Sequence, residues 1–235
     1  MNIRLPFVAG LLVAACISAV AGESYKNFPG APADERMLRA QERVEELYER
    51  GEFERVMMIC RQDLAPRGDK FAQYTIGYLY LTGKGVPQSE AYALAWYRLA
   101  AERGNSALIQ VRDELFRRMK PAQIEESNRI FAGIWKEMGD SRILLRLIRA
   151  DIEILNARAG TRIPGAAAGP VTVVGVSGYG GAESYYKAVE ERLQTRLAYL
   201  KGNVEIVDIE QGDDHAFVRD LETGLKSEVA SLDLP

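Results

Sequence analysis

The strongest constraint on this chain is residues 72–107, where glycines separate two amphipathic segments. Before the turn, apolar or small residues recur at helical spacing at Ala72, Ile76 and Tyr80. After the glycine-rich residues 83–86, a second run repeats this pattern across residues 91–101. Residues three or four apart share one helix face, so the two runs predict a helix hairpin.

Six residues of this stretch are expected to set the geometry of the hairpin. Glycines in the turn permit backbone dihedral angles that other residues disfavour. A tryptophan fills the wedge between helices, and small residues allow a neighbouring helix to approach closely. The predicted repeat-structural residues are Gly77, Gly83, Gly85, Trp96, Ala100 and Ala101.

The same stretch resembles a Sel1-like repeat of the bacterial envelope type, a subclass of the tetratricopeptide-like helical repeats. The matching positions are Ala72, Ile76, Gly77, Tyr80, Gly83, Gly85, Val86, Ala91, Ala95, Trp96, Tyr97, Ala100, Ala101, Gly104 and Ala107. The resemblance covers about one repeat. It implies an α-solenoid that serves protein–protein contact or envelope assembly.

A second predicted helix pair precedes this one, over residues 34–64, and is broken at Gly51. It resembles a degenerate tetratricopeptide repeat. One hairpin cannot bury its apolar face alone, whereas stacked hairpins share a continuous core. Further helical stripes follow over residues 121–138 and 143–155. We therefore predict a mostly α fold, with a short α-solenoid of stacked helix hairpins over residues 23–156.

The C-terminal third of the chain differs in character. Residues 157–182 are rich in glycine and alanine and read as a linker. Residues 183–235 predict a small α+β appendage, with a helix at 183–201 and three strands at 204–209, 215–221 and 225–232. Three strands with a helix are enough for such an appendage to be stable.

The N-terminal residues 1–22 are typical of a secretory signal peptide, with an apolar run that ends in a small-x-small cleavage site at residues 19–21. The chain is therefore expected in the periplasm. The residues around Cys16 also resemble a lipoprotein box. Under that alternative the chain is a lipoprotein, and membrane association is expected only if Cys16 is lipidated.

Composition argues against several kinds of site. A net charge of −3 provides no basic field for nucleic acid, and one histidine with two cysteines provides no metal cluster. A glycine-rich segment at residues 175–181 has Glu183 where a dinucleotide-binding motif needs its last glycine. No metal and no cofactor are predicted.

One sequence pattern suggests catalysis. Ser184 and Lys187 form an S-x-x-K, as in penicillin-recognising serine enzymes, but the further motifs of that chemistry are missing. No catalytic residue is predicted, and the chain is not expected to be an enzyme. An envelope hydrolase acting through Ser184 and Lys187 remains the alternative.

The predicted function is a non-enzymatic adaptor or scaffold that binds other envelope proteins. Tyrosines on the first helix of the repeat, and acidic residues on the preceding first helix, are expected to form a groove for a basic or extended segment. The alternative is that the tyrosines pack partly against the next repeat. The predicted partner-binding residues are Tyr74, Tyr78, Glu42, Glu45 and Glu49.

Overall fold

The computed structural model describes residues 28–160 and 182–202, together with residues 223, 227 and 229–232. The described residues are mostly helical, and none of them lies in a strand. The chain divides into two compact units between Ile143 and Leu144. The mostly α prediction is therefore confirmed, and the succession of helix hairpins is consistent with an α-solenoid.

The first hairpin consists of helix α1 (Glu35–Glu49) and helix α2 (Phe53–Ile59). The side chain of Asp34 starts α1 by accepting a hydrogen bond from the Met37 backbone N–H at 2.8 Å. After α2 the chain continues through a π-helical turn, Cys60–Leu64, and a 3₁₀ turn, Ala65–Arg67. The helix pair predicted over residues 34–64 is thus present.

The second hairpin consists of helix α3 (Lys70–Thr82) and helix α4 (Glu90–Ala100), which pack against each other. The carboxylate of Asp69 caps α3 by accepting from the Ala72 backbone N–H at 2.9 Å. The predicted hairpin is therefore confirmed in both of its helices and in its turn.

The first unit continues with a 3₁₀ turn, Ala101–Arg103, and then with helices α5 (Ser106–Arg118) and α6 (Pro121–Met138). Helix α4 packs against α3, α5 and α6. Its fully buried residues include Ala93, Leu94, Ala95, Trp96 and Leu99. Helix α4 therefore lies at the centre of this unit and supplies a large share of its core.

Helix α7 (Asp140–Gly160) begins in the first unit and continues into the second, which also contains helix α8 (Ala182–Gly202). In the second unit the buried carboxylate of Asp151 binds Arg192 at 2.5 Å and also binds the buried Arg196. Helix α8 buries one apolar stripe: Val189, Leu193, Leu197 and Leu200.

The predicted α+β appendage is not supported. Its helix is present as α8, but in the third predicted strand the described residues Ser227, Val229 and Ala230 are helical. That strand was inferred from apolar residues spread over positions 225–232 after a turn-like sequence at 222–224, and so short a segment fits a helix as well as a strand. The predicted strands at 204–209 and 215–221 lie outside the described residues, as do the predicted signal peptide and most of the predicted linker.

No helix among the described residues combines the length and the apolar character needed to cross a membrane.

Cys60 lies in the core of the first unit with none of its surface exposed. Burial raises the pKa of the thiol far above its usual value, so little thiolate forms near neutral pH. We expect iodoacetamide to alkylate Cys60 at least about 100-fold more slowly in the folded chain than in guanidinium chloride. Mass spectrometry of the Cys60 peptide measures both rates, and equal rates would contradict this placement.

Candidate interaction surface

Helix α1 exposes a row of carboxylates. Glu42, Glu45 and Glu49 are exposed and follow one another at spacings of three and four, so they share one helix face. Val44 and Leu47 are buried on the opposite side of the helix. None of the three glutamates has an ion-pair partner within the part of the chain that the structure describes. This face of α1 therefore carries uncompensated negative charge.

Tyr74 is only half-exposed. Its ring stacks on the buried ring of Tyr97, with 5.3 Å between centroids and 23° between planes. It also packs against two core clusters of the first unit, one around Leu94 and the other around Leu108. Tyr74 therefore contributes to the core, and its stacking partner Tyr97 belongs to the same repeat rather than to the next one.

Tyr78 is also half-exposed, but it lies beside α1. The centroid of its ring is 6.4 Å from that of Tyr48, and the two ring planes are tilted by 49°. Burial and the neighbouring Tyr78 raise the pKa of Tyr48, so the Tyr48 hydroxyl stays neutral at physiological pH. Tyr48 stands between Glu45 and Glu49 in α1. The structure thus brings Tyr78 to the acidic helix, whereas Tyr74 reaches towards α4.

A lysine lies among the aromatic rings at this place. The Nζ of Lys84 is 4.7 Å from the ring centroid of Phe53, 5.4 Å from that of Tyr78 and 5.6 Å from that of Tyr48. These are cation–π distances. We call the three rings, Tyr48, Phe53 and Tyr78, the Lys84 box. Sequence reasoning missed it, although a lysine between two glycines was visible in the turn.

The turn that carries Lys84 is positioned by glycines. Gly83 and Gly85 both have φ of +69°. A Cβ atom on Gly85 would lie 2.6 Å from the backbone nitrogen of Glu54, so the turn sits directly on the first residues of α2. The other predicted repeat-structural residues are buried inside the hairpin: Gly77, Trp96, Ala100 and Ala101.

The first unit also contains a buried group of charged side chains. The Nζ of Lys70 has no exposed area and binds Glu102 at 2.7 Å, Asp140 at 3.2 Å and the Leu99 carbonyl oxygen at 2.8 Å. Arg103 forms two hydrogen bonds with Asp140, at 2.7 and 2.8 Å. We call Lys70, Glu102, Arg103 and Asp140 the charged corner. It joins the starts of α3 and α7 to the end of α4.

The two carboxyl groups of the charged corner respond differently to their surroundings. Burial raises the pKa of Glu102 above its usual value despite the nearby Lys70. Burial acts in the same direction on Asp140, but Lys70 and Arg103 together hold its pKa below the usual value. Asp140 is therefore the firmly ionised partner, and the pair is a structural element rather than an accessible acid–base site.

The described residues contain no group of three or more metal-ligating side chains that could hold an ion.

Ser184 and Lys187 are both exposed on α8, and Lys187 lies 4.0 Å from Glu191. A nucleophilic serine needs a base and an oxyanion site gathered in a cleft. The described surroundings of Ser184 do not provide such a cleft, so the geometry does not favour the hydrolase alternative.

Comparison with protein families finds a match to a repeat family. Residues 70–105 match the family model of the Sel1 repeat. The match covers α3, the turn with Lys84, and α4. Comparisons with curated proteins and with solved structures gave no match.

Proposed function

We propose that this chain, a Sel1-like repeat protein, is a non-enzymatic adaptor that binds a basic or extended segment of another envelope protein. The Sel1 repeat supports a role in protein interaction. The observation that carries the proposal is the row of exposed glutamates on α1 beside half-exposed tyrosines. Complementary charge steers a basic partner to such a face, and aromatic residues anchor it.

The proposed binding residues are Glu42, Glu45 and Glu49 on α1 and Tyr74 and Tyr78 on α3. Tyr78 is placed best for this role, because it lies next to α1. One face of the Tyr74 ring is stacked on Tyr97, so a smaller part of this ring is available to a partner. We therefore assign Tyr78 the larger share of the contact.

We place this adaptor in the periplasm. The support is the apolar N-terminal run with its small-x-small end, which is typical of exported chains. Lipidation at Cys16 would tether the same adaptor to a membrane without changing the binding surface.

Charge reversal tests the proposal. We expect Glu42→Lys with Glu49→Lys to reduce the amount of co-purifying partner by about tenfold or more, because two attractive charges become repulsive. Quantitative mass spectrometry of the tagged full chain, purified from its native envelope, measures this. Both positions are exposed, so the melting temperature should stay within a few degrees.

The matched control places the same two substitutions on another helix. Glu125 and Glu126 are exposed on α6, and Glu125→Lys with Glu126→Lys changes the net charge by the same amount. The control should retain the partner. Equal loss in both variants would mean that overall charge matters and the α1 surface does not, and equal retention would remove the α1 surface from the interaction.

A further inference from the structure

The Lys84 box is a complete cation site whose occupant belongs to the same chain. Three rings from α1, α2 and α3 lie between 4.7 and 5.6 Å from one ammonium group. The rings also contact one another, since Tyr48 and Phe53 meet edge to face with 5.3 Å between centroids. Their negative faces thus converge on one point, which is how aromatic side chains bind a cation.

Among the described residues, the three rings are the partners of the Lys84 ammonium group. No carboxylate of the described residues lies within ion-pair distance of its Nζ. The backbone on both sides is fixed by Gly83 and Gly85, but the four-carbon side chain can change rotamer without moving the turn. Lys84 can therefore leave the box while the repeat stays folded.

The box opens onto the surface where a partner is proposed to dock. Tyr48, Phe53, Tyr78 and Lys84 are all half-exposed. A groove of 340 Å³ runs beside Phe53, between residues 51–55 and Gly85. Glu49 and Glu54 are exposed next in sequence to the α1 and α2 residues that carry two of the rings. The nearby Arg50 and Arg55 both pair with Glu52, which leaves these two carboxylates in excess. The charge around the box therefore favours an incoming cation over an anion or an apolar side chain.

We propose that the Lys84 box is the specificity site of this surface, and that a lysine or arginine side chain of the partner segment enters it and displaces Lys84. This inference rests on the proposed function, because it names the partner chemistry of the same surface. Lys84 acts as an internal competitor. It keeps the box filled when no partner is bound. A partner segment must therefore bind strongly enough to displace Lys84, which excludes weakly basic segments.

The test uses the full chain and a fluorescent peptide of roughly ten residues in which lysine and serine alternate. We expect Lys84→Gln to bind this peptide about three- to tenfold more tightly than the original chain, as measured by fluorescence anisotropy. Removing any surface cation also lowers general repulsion. The control is therefore Lys136→Gln, which removes one exposed lysine from α6 and should change the affinity by less than about twofold.

The rings are tested in the Lys84→Gln background. Adding Phe53→Leu, or separately Tyr78→Leu, should abolish the gain, with melting temperatures recorded for each variant. The inference is overturned if Lys84→Gln binds no better than Lys136→Gln, if no variant binds the peptide, or if the gain survives without the rings. Failure of the proposed function gives a different result. In that case the chain with Glu42→Lys and Glu49→Lys would keep its co-purifying partner, independently of how the Lys84 variants bind the peptide.

Discussion

Replacing Lys70 by methionine is expected to lower the free energy of unfolding by about 3–5 kcal/mol, the typical cost of removing one partner from a buried ion pair. The Nζ of Lys70 is fully buried and binds both carboxyl groups of the charged corner. Without it, Glu102 loses its cation while remaining largely shielded from water, with 15% of its side chain exposed. Urea unfolding followed by circular dichroism measures the loss.

A double variant separates the lost charge from lost packing. Lys70→Met with Glu102→Leu removes the whole pair and leaves the two hydrogen bonds between Arg103 and Asp140 in place. Because buried ion pairs can be replaced by apolar residues at little cost, the double variant should recover at least about half of the stability. A single variant that costs less than about 1 kcal/mol would contradict the assigned role of Lys70.

The pH dependence of the Lys70→Met variant has a definite sign. Loss of Lys70 raises the pKa of Glu102 further above its unfolded value of 4.5. The folded chain then binds a proton that the unfolded chain has released, so stability falls as the pH rises above 4.5. The deficit of the variant should therefore shrink as the pH is lowered from neutral towards that value.

Gly85→Ala is the second substitution for which we expect a large effect, about 3–4 kcal/mol of lost stability. About 1–2 kcal/mol comes from the positive φ of this residue, and the rest from overlap with the backbone of α2. The added Cβ would lie 2.6 Å from the nitrogen of Glu54 and 2.7 Å from the carbonyl carbon of Phe53. Backbone atoms cannot move aside as the end of a flexible side chain can.

Gly104 provides the matched control for this substitution. Its φ of +74° is close to that of Gly85, and a Cβ there would meet nothing within 4 Å. Gly104→Ala should therefore cost only the conformational part, about 1–2 kcal/mol. Thermal or urea unfolding of both variants gives the difference. Equal losses of stability in the two variants would show that Gly85 does not lie in close contact with the backbone of α2.

The helices of the first unit could be predicted from the sequence, because their signals are local. Glycine breaks, capping residues such as Asp69, and apolar residues at helical spacing all act within a few positions. The repeat pattern added the pairing of α3 with α4, since the motif specifies which faces meet. For this reason the hairpin was predicted closely, and only its ends differed by a residue or two.

The charged corner could not be predicted, because its members are distant in sequence. Lys70 precedes Glu102 by 32 positions, and only the packing of α3, α4 and α7 brings them together. From the sequence alone, a lysine at a helix start is expected to be solvated, because its acidic partner cannot be identified. The same limit explains Tyr74, whose spacing suggested an outward ring but whose face is covered by Tyr97.

The third strand predicted near the C-terminus was wrong for a different reason. A short segment of mixed apolar and polar residues, such as 225–232, does not distinguish a strand from a helix turn, and tertiary contacts decide between them. The described residues there, Ser227, Val229 and Ala230, are helical. Longer and strongly periodic segments do not have this ambiguity. Helix α8 is such a segment, and it was predicted correctly.

Site-specific photocrosslinking tests most directly whether the acidic and aromatic face of α1 receives a partner. A benzophenone side chain is introduced at Glu45 in the full chain, and separately at Glu125 on α6 as the control. Irradiation in the native envelope should give a discrete adduct from position 45 that disappears with Glu42→Lys and Glu49→Lys. No adduct from position 45, or the same adduct from both positions, would contradict a binding role for this face.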